Sequence, residues 1–502
     1  MFDTLSLAVA HLLEWQVIAA LLIGSIGGVI IGAIPGVGPA VAIAILLPAT
    51  FSMPPLVGLT LLLGIYGSSM YGGSLPAILI NTPGTAVNAL TTYDGYPMTK
   101  KGQALRALGL AYGASFFSAI FSIIVLILLS PVLAKVAPMF GSREIFLAAL
   151  LGIVLVIVAH KGQMAAAGMM AGMGILFQSV GMEPVNYTMR YTFGLGWLTS
   201  GLDLIVVVLG LFAVSQAFVL MIEPESAPKA APVQGSMLKA IGEVLGYKRV
   251  ALTGSSYGVL MGMIPGVGEF TAQFLSYTSA RRLSKTPEDF GKGSPEGLVA
   301  SESANNAVPA AAMIPLLALG IPGEALTAMM LSVFYVHNVV PGPGLFQNQL
   351  DFVYALYLAL IVLNVIVIAW MVVSSNLLIH LIRVPTRFLG MSILIMSFVG
   401  IYSLRNAPVD CLIAAGFGVF GVVLKRLNLP VVPIILGMVL GNIMEVKLRS
   451  AAARIDGPLD LVNRPIAALL ALAILFIVVQ ALRTTIRGWT APDDPTETRN
   501  RN

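Results

Sequence analysis

The sequence alternates between long apolar stretches and short polar ones. No charged residue occurs in residues 15–93 or in residues 352–382. Since about 20 apolar residues in a helix cross a bilayer, the pattern predicts membrane helices rather than amphipathic helices around a soluble core. The predicted apolar stretches are residues 13–51, 57–80, 108–134, 145–159, 164–180, 204–222, 250–263, 270–280, 298–319, 325–340, 352–381, 388–404, 412–424, 431–444 and 466–482.

Proline and glycine interrupt these stretches in a pattern that occurs twice. The sequence Gly-x-Ile-Pro-Gly-Val-Gly begins at Gly32 and again at Gly262, 230 residues later in a chain of 502. A proline followed seven residues later by Pro-Gly begins at Pro76 and again at Pro315, 239 residues later. Proline lacks a backbone donor and glycine adopts conformations closed to other residues, so both interruptions break helices. Two matched breaks in the same order favour an internal duplication. In transporters such paired breaks indicate the substrate site; the alternative is that they are structural helix kinks that bind no ligand.

Loop charge predicts how the two halves lie in the membrane. Residues 223–249 and 281–296 contain four Lys or Arg each, which favours the cytoplasmic side. Residues 250–280 between them would leave and return on one side, with arms of about 14 and 11 residues that are too short to cross. The first-half counterpart is flanked by residues 1–14 and 52–55, which contain no Lys or Arg and indicate insertion from the opposite face.

The predicted fold is an all-α polytopic membrane protein with roughly 10–12 membrane segments in two inverted repeats. Each repeat has a re-entrant hairpin with a Pro-Gly-Val-Gly tip and a second helix broken at Pro-Gly. The predicted division is a first membrane repeat in residues 1–222, a cytoplasmic connector in 223–249, a second membrane repeat in 250–482 and a polar cytoplasmic tail in 483–502. The basic cluster of Lys447, Arg449 and Arg454 has no clear place in this scheme.

Composition agrees with a lipid bilayer as the surroundings. The chain is 57% hydrophobic and 10% charged, with a mean hydropathy of +0.92, whereas soluble domains are roughly 25% charged. The net charge of +5 comes without a Lys/Arg cluster interleaved with aromatics, so no nucleic-acid partner is expected. The single cysteine, Cys411, excludes an internal disulfide. We expect no cofactor other than a coupling ion, Na⁺ or H⁺.

The broken helices are the candidate binding site. Backbone N–H and C=O groups freed at membrane depth must line a cavity or pack in protein. Helix N-termini after such breaks favour anions, whereas freed carbonyls suit a cation such as Na⁺. Neutral polar side chains nearby would complete the site; the alternative is that they bond neighbouring helices. The candidate substrate-binding residues are Pro35, Gly36, Gly38, Ser74, Asn81, Thr82, Gly84, Thr85, Pro265, Gly266, Gly268, Asn305, Asn306, Pro322 and Gly323.

Acidic and hydroxyl side chains near the second-half breaks are the candidates for binding a coupling cation. Intramembrane acids are unfavourable and by default indicate a functional site. Glu269 adjoins the second tip, Glu302 precedes two asparagines and Glu324 follows Pro-Gly. Together with Ser301 and Ser303, they are the candidate ligands of Na⁺ or a proton, beside backbone carbonyls near the breaks. The alternative is that these acids lie at a wet edge of the protein.

Five motifs together resemble one known family. They are Gly-x-Ile-Pro-Gly-Val-Gly-Pro from Gly32, Asn-Thr-Pro-Gly-Thr-Ala from Asn81, Asp-Gly-Tyr-Pro-Met from Asp94, Ser-Glu-Ser-Ala-Asn-Asn-Ala from Ser301 and Gly-Ile-Pro-Gly-Glu from Gly320. This set resembles the large membrane subunit of tripartite tricarboxylate transporters, the TctA family, over about residues 15–480.

The resemblance implies a bacterial inner-membrane transporter driven by a cation gradient, usually of Na⁺. It also implies two partners, a small TctB-like membrane subunit and a periplasmic TctC-like solute-binding protein that delivers carboxylates such as citrate. An elevator-like movement of the hairpin-bearing core is a hypothesis from the inverted hairpins. A homo-oligomer is compatible with all of these expectations.

Three other functions compete with carboxylate import. An ion channel needs a continuous polar stripe or a charged ring, whereas the sequence contains only isolated acids. A membrane enzyme needs a catalytic constellation at one depth, and no nucleophile–base arrangement or phosphate loop stands out. A stand-alone organic-anion permease has the same chemistry, so dependence of uptake on a binding protein would separate it from a tripartite system.

Overall fold

The structure is a computed structural model that describes residues 2–34, 37–160, 162–183, 187–222, 237–381, 386–454 and 457–490. The helices before residue 223 are α1 Phe2–Leu12, α2 Trp15–Ala33, α3 Gly38–Thr50, α4 Pro55–Ile80, α5 Thr91–Lys100, α6 Ala104–Val136, α7 Ser142–Ala159, α8 Met164–Gln178, α9 Leu204–Val208 and α10 Ser215–Ile222. Those after residue 236 are α11 Met237–Glu243, α12 Lys248–Gly262, α13 Gly268–Leu283, α14 Pro295–Leu319, α15 Ala325–Val336, α16 Pro343–Asn348, α17 Leu350–Leu381, α18 Thr386–Arg405, α19 Pro408–Arg426, α20 Val432–Ala452 and α21 Pro465–Thr490.

Eight of the described helical segments are long and apolar enough to cross a membrane. They are Trp15–Ala33, Pro55–Ile80, Ala104–Val136, Ser142–Ala159, Leu204–Ile222, Leu350–Ser374, Pro408–Arg426 and Pro465–Arg483. Shorter apolar helices are Gly38–Thr50, Met164–Gln178, Ala325–Val336 and Gly390–Arg405. The strands within the described ranges are a two-residue pair, Gly181–Met182 with Met189–Arg190, which the sequence did not predict. The prediction of an all-α polytopic membrane protein is confirmed.

Both Pro-Gly-Val-Gly motifs separate two helices. The first lies between α2 and α3, and the second between α12 and α13. Gly38 and Gly268, the first residues of α3 and α13, have φ values of +63° and +66°. This left-handed conformation is costly for residues with a side chain, which explains why each motif ends in glycine. Pro35 and Gly36 lie outside the described residues.

The second pair of breaks follows α4 and α14, which end where the predicted apolar stretches 57–80 and 298–319 end. The helices α4 and α14 run through Pro76 and Pro315 and end at Ile80 and Leu319. The residues that cap them, Asn81 and Gly320, have φ values of +57° and +69°. A proline inside a membrane helix is tolerated where its neighbours pack against it, and Gly84 lies close to the Pro76 ring. The left-handed caps, rather than these prolines, therefore end the two helices.

Each helix of the second hairpin is shorter than the hydrocarbon core of a bilayer. The helices α12 and α13 have 15 and 16 residues, about 23 and 24 Å against a hydrocarbon core of about 30 Å. The second arm is longer than predicted because α13 continues to Leu283. In the first half, α2 has 19 residues and could cross alone, whereas α3 has 13. The inverted, re-entrant arrangement stays a prediction.

Glycines let the first arm of each hairpin approach a central helix. A Cβ at Gly28 on α2 would lie 2.7 Å from the Ile65 carbonyl oxygen of α4. A Cβ at Gly258 on α12 would lie 2.4 Å from the Ala304 carbonyl oxygen of α14. Such distances exclude any side chain, so the backbones pack directly, as small residues allow between membrane helices.

The helices α4 and α14 form the centre of the protein. Residues 297–318 of α14 are all buried, and so are residues 56–66 and 68–79 of α4. The helix α6 packs against α14 and joins the halves; for example, the Ser122 hydroxyl donates to the Ala307 carbonyl oxygen at 2.6 Å. The helix α21 packs against α7 at the outside. A core of this kind keeps chemistry-bearing side chains of α4 and α14 away from lipid.

The predicted connector and tail contain helical residues. The helix α11 and the first residues of α12 lie within residues 223–249, whose first part, 223–236, is outside the described residues. Arg106 Nε on α6 donates to Glu243 Oε2 of α11 at 3.0 Å, and this hydrogen-bonded guanidinium lowers the pKa of the Glu243 carboxyl. The helix α21 continues to Thr490, and residues 491–502 are outside the described residues. The division of the chain into repeats, connector and tail stays a prediction.

Candidate functional site

The two Pro-Gly-Val-Gly motifs meet at one cavity of about 630 Å³, here called the tip cavity. Its wall includes residues 37–41, from the first motif and the start of α3, and residues 266–270, from the second motif and the start of α13. Residues 83–85 and 324–326, which follow the second pair of breaks, also line it. All four breaks, from both halves of the chain, therefore contribute to a single space.

Three helices begin at the tip cavity. Gly38, Gly268 and Ala325 are the first residues of α3, α13 and α15, and each lines the cavity. The first N–H groups of a helix lack an intrahelical acceptor and carry a partial positive charge. These helices have 13, 16 and 12 residues, long enough for a helix dipole to develop. The cavity is therefore suited to an anion held by backbone N–H groups.

Two carboxylates lie at the same helix N-termini. Glu269 in the first turn of α13 and Glu324, the N-cap of α15, both line the cavity and are 7% exposed. The Tyr66 hydroxyl of α4 donates to Glu269 Oε1 at 3.4 Å. Glu324 Oε1 has no hydrogen-bond partner among the described residues. Because carboxylates repel an anion unless a cation or proton neutralises them, this arrangement suits an anion that enters together with a cation.

Two basic side chains that sequence analysis missed also line the tip cavity. Lys425 lies at the end of α19, where its Nζ donates to Gln216 Oε1 at 2.7 Å. His160 follows α7, with Nδ1 2.7 Å from the Val156 carbonyl oxygen. The sequence signal was weak, because both residues close apolar stretches, where polar side chains ordinarily reach the membrane surface. The Lys425 ammonium supplies a full positive charge that can pair with a carboxylate.

The predicted site residues fall into groups by position. Those that line the tip cavity are Gly38, Gly84, Thr85, Gly266, Gly268, Glu269 and Glu324. Those buried away from its wall are Ser74, Ser301, Glu302, Ser303, Asn305, Asn306, Pro322 and Gly323. Pro265 is half-buried and also off the wall, Asn81 and Thr82 are exposed, and Pro35 and Gly36 lie outside the described residues.

Buried hydroxyl groups surround the Glu302 carboxylate, which is completely inaccessible to solvent. Ser74 of α4 donates to Glu302 Oε1 at 2.8 Å, and Ser115 of α6 donates to Glu302 Oε2 at 3.1 Å. Thr91, the first residue of α5, donates to Oε1 as well. The Asn306 amide donates to the Ser115 hydroxyl at 2.6 Å. We call Glu302, Ser74, Thr91 and Ser115 the Glu302 cluster; sequence analysis had not singled out Thr91 or Ser115.

A hydrogen-bonded chain joins the Glu302 cluster to the tip cavity. Thr85, which lines the cavity, donates its hydroxyl proton to Asn88 Oδ1. Asn88 Nδ2 then donates to the Ser74 hydroxyl at 3.1 Å, and Ser74 donates to Glu302. Asn88 lies in the 3-10 turn that follows the Pro83–Gly84 break. A change at Glu302 can therefore act on the cavity wall through three side chains.

Two backbone carbonyl oxygens near the breaks already accept hydrogen bonds from the protein. Gly266 N–H donates to the Gly323 carbonyl at 2.7 Å, and Gly84 N–H donates to the Gly73 carbonyl at 3.2 Å. These contacts tie the second hairpin tip to the second break of its half, and the first Pro-Gly break to α4. They also occupy two of the acceptors that a cation held by backbone carbonyls would use.

Asp94 fastens the loop between α13 and α14 to α5. Its Oδ1 accepts hydrogen bonds from the backbone N–H groups of Gly291, Gly293 and Ser294 at 2.7–2.9 Å. Its Oδ2 accepts the Tyr277 hydroxyl at 2.8 Å. In the sequence, Asp94 stands out only as part of a family motif. Its buried carboxylate positions the start of α14, the helix that carries Glu302.

Comparison with known proteins gives one family and two curated relatives. The family model described as "Tripartite tricarboxylate transporter TctA family" matches residues 18–436. An uncharacterised 52.8 kDa protein in the TAR-I ttuC' 3' region of Agrobacterium vitis is 35% identical over 471 residues, 93% of each chain. An uncharacterised protein in the TAR-II ttuC' 3' region of the same organism is 34% identical over 233 residues, 46% of this chain and 96% of that protein. No solved structure matches the chain.

The family match covers both hairpin tips, the Glu302 cluster and every residue that lines the tip cavity. The expected resemblance is therefore confirmed, and the family to which the chain belongs is a transporter family. The chain is a multi-pass membrane protein that belongs to the tripartite tricarboxylate transporter TctA family.

Proposed function

We propose that this chain is the transmembrane subunit that imports tricarboxylates or related organic carboxylates, such as citrate, across the bacterial inner membrane. The observation that carries the proposal is the convergence of three helix N-termini and Lys425 on the tip cavity. Carboxylate groups of the substrate accept hydrogen bonds from the first N–H groups of α3, α13 and α15. The Lys425 ammonium pairs with a further carboxylate of the same molecule.

Coupling to Na⁺ provides the driving force in this proposal, with H⁺ as the alternative ion. The acids at the cavity, Glu269 and Glu324, oppose a multiply charged anion unless their own charges are neutralised. A cation bound with the substrate lowers this repulsion, so substrate and cation bind more tightly together than separately. This reciprocity is the physical requirement for symport.

Elevator-type alternating access is the movement that best suits this arrangement. At their glycines the helices α2 and α12 approach the backbones of α4 and α14 directly, so each hairpin arm and its central helix form a closely packed unit. The outer helices α7, α8, α20 and α21 pack mainly with one another. Displacement of the central unit relative to the outer helices would carry the part of the tip cavity formed by the hairpins across the membrane, whereas His160 would stay with α7.

Two partner proteins complete the proposed transporter. The family takes its name from tripartite transporters, so we propose a small TctB-like membrane subunit and a periplasmic TctC-like solute-binding protein. The binding protein would deliver the carboxylate to the side from which the tip cavity opens. A stand-alone permease and an ion channel are the alternatives.

Uptake into proteoliposomes tests the proposal. The vesicles contain this chain with the small membrane subunit, and radiolabelled citrate is supplied with and without the binding protein under an inward Na⁺ gradient. We expect concentrative, saturable uptake that requires both the gradient and the binding protein. Uptake without the binding protein would indicate a stand-alone permease, and flux that never exceeds equilibration would indicate a channel. Absence of uptake for citrate and for a panel of other carboxylates would reject the substrate class.

A further inference from the structure

The Glu302 carboxylate has no basic partner among the residues that the structure describes. It is 0% exposed, and no described Lys, Arg or His side chain lies within ion-pair distance of it. Burial without a counter-ion disfavours an ionised carboxylate, and the three hydroxyl groups that donate to Glu302 offset only part of this cost. A bound cation would supply the missing positive charge.

The surroundings of Glu302 consist of oxygen ligands. Three hydroxyl groups, from Ser74, Thr91 and Ser115, contact the two carboxylate oxygens, and they come from α4, α5 and α6. A hydroxyl group can rotate and present a lone pair instead of its proton. Hard cations prefer oxygen ligands, and the size of the site together with the ligand number selects among them. The Ser74 and Ser115 hydroxyls now hydrogen-bond the carboxylate directly, at 2.8 and 3.1 Å, so a cation bound among these oxygens would replace those O–H···O contacts.

We propose that the Glu302 cluster binds the coupling Na⁺, with the carboxylate and the hydroxyl oxygens of Ser74, Thr91 and Ser115 as its protein ligands. The assignment rests on the proposed Na⁺ symport and says where in the protein the coupling Na⁺ binds. The cation lies in the core between the two halves of the chain and outside the substrate's contacts in the tip cavity.

The hydrogen-bonded chain from Ser74 to Thr85 explains how this site acts on the substrate. With Na⁺ bound, the Ser74 hydroxyl turns its lone pair to the cation and its proton away from Glu302. The Asn88 amide and the Thr85 hydroxyl are the next two groups of the hydrogen-bonded chain, so they form the route by which this rotation can reach the tip cavity. Thr85 lines the tip cavity, so occupancy of the cation site changes the wall that the substrate contacts, and the substrate changes Na⁺ affinity reciprocally.

Thermal unfolding of the purified full-length chain tests the cation site without transport. The unfolding midpoint is measured in NaCl, KCl and choline chloride at equal ionic strength and over a series of Na⁺ concentrations. A site that binds Na⁺ only in the folded protein raises the midpoint as Na⁺ increases. We expect this rise with NaCl only.

Four proteins make the test specific. Glu302→Gln removes the charge at nearly constant volume, and we expect it to abolish the Na⁺-dependent rise. Ser115→Ala removes one ligand and should increase the half-saturating Na⁺ concentration roughly tenfold. Ser118→Ala is the matched control, because its buried hydroxyl on the same helix bonds only the Ser115 backbone carbonyl, and it should behave as the wild type. The midpoint in choline chloride verifies that each variant folds.

The result that overturns the assignment is a full Na⁺-dependent rise in Glu302→Gln, or no rise in the wild type. Uptake measurements separate this failure from failure of the proposed function. Na⁺-driven uptake with an unchanged half-saturating Na⁺ concentration in Glu302→Gln would keep the function and reject the site. A rise that Glu302→Gln removes, without uptake of any carboxylate, would keep the site and reject the function.

Discussion

At the scale of single residues, the tip cavity combines charges of both signs. Lys425 and the N-termini of α3, α13 and α15 attract an anion, whereas Glu269 and Glu324 oppose it. Under the proposed function, the balance between these groups lets the carboxylate bind and also leave, because neither sign dominates. Substrate affinity should therefore respond strongly to a change of one charge.

Removal of the Lys425 charge gives the first prediction. In Lys425→Gln we expect the half-saturating carboxylate concentration to rise tenfold or more, since a charge-assisted hydrogen bond contributes about 1.5–3 kcal/mol. The measurement is initial uptake over a substrate series at saturating Na⁺. The control is Arg426→Gln, the exposed neighbour that does not line the tip cavity. Equal half-saturation in both variants would exclude Lys425 from the substrate site.

At the scale of helices, close backbone contact holds each hairpin arm to its central helix. Three glycines at intervals of four residues on α2, Gly24, Gly28 and Gly32, each face the backbone of α4. The same spacing occurs 230 residues later on α12, where the glycines Gly254, Gly258 and Gly262 face α14. The two halves of the chain therefore pack their hairpins in the same way.

Alanine at two neighbouring glycines of α2 tests this packing. A Cβ at Gly28 would lie 2.0 Å from the Ser68 hydroxyl and 2.7 Å from Ile65 backbone atoms, whereas a Cβ at Gly27 meets nothing within 4 Å. Overpacking of this kind costs about 1–3 kcal/mol, so Gly28→Ala should lower the unfolding midpoint by several degrees. Gly27→Ala should leave the midpoint unchanged or raise it, since alanine favours helix. Similar midpoints for the two variants would contradict direct backbone packing.

The Asp94 contacts give a second prediction at the scale of helices. In Asp94→Ala, three backbone N–H groups lose their acceptor, and an unsatisfied buried donor costs about 1–3 kcal/mol. Hydrogen exchange at Gly291, Gly293 and Ser294 should become roughly tenfold faster or more. Tyr277→Phe is the control, because it removes only the hydroxyl contact to Oδ2 and leaves the three amide acceptors. Unchanged exchange in Asp94→Ala would show that another acceptor orders the loop.

At the scale of the whole molecule, the two halves of the chain form one site. The Tyr66 hydroxyl reaches Glu269 over a separation of 203 residues. Groups that touch respond jointly to substitution, whereas distant groups respond independently.

A double-mutant cycle on Tyr66→Phe and Glu269→Gln tests this joint action. We expect the combined effect on half-saturating carboxylate concentration to deviate from the sum of the single effects by at least about 0.5 kcal/mol, a factor of about two. Ser118→Ala combined with Glu269→Gln is the additive control. Additivity in both cycles would mean that the two halves contribute to binding separately.

Sequence determined what depends on local chemistry. Apolar runs such as residues 57–80 predicted helix α4 closely because its composition requires a membrane and helices satisfy their own backbone. Proline and glycine marked both hairpin tips, since their effect on backbone conformation needs no distant partner. The motif set likewise identified the family.

Tertiary structure decided what depends on contacts between distant segments. The partners of Glu302 lie 228, 211 and 187 residues away, so the apolar pattern gave no reason to single out Thr91 or Ser115. In the sequence, Lys425 and His160 follow apolar stretches and are typical of the ends of membrane helices. Only the packing of α19 and α7 places their side chains in the wall of the tip cavity. Local sequence fixes where a helix breaks, whereas the close packing of several helices fixes which broken ends and side chains meet.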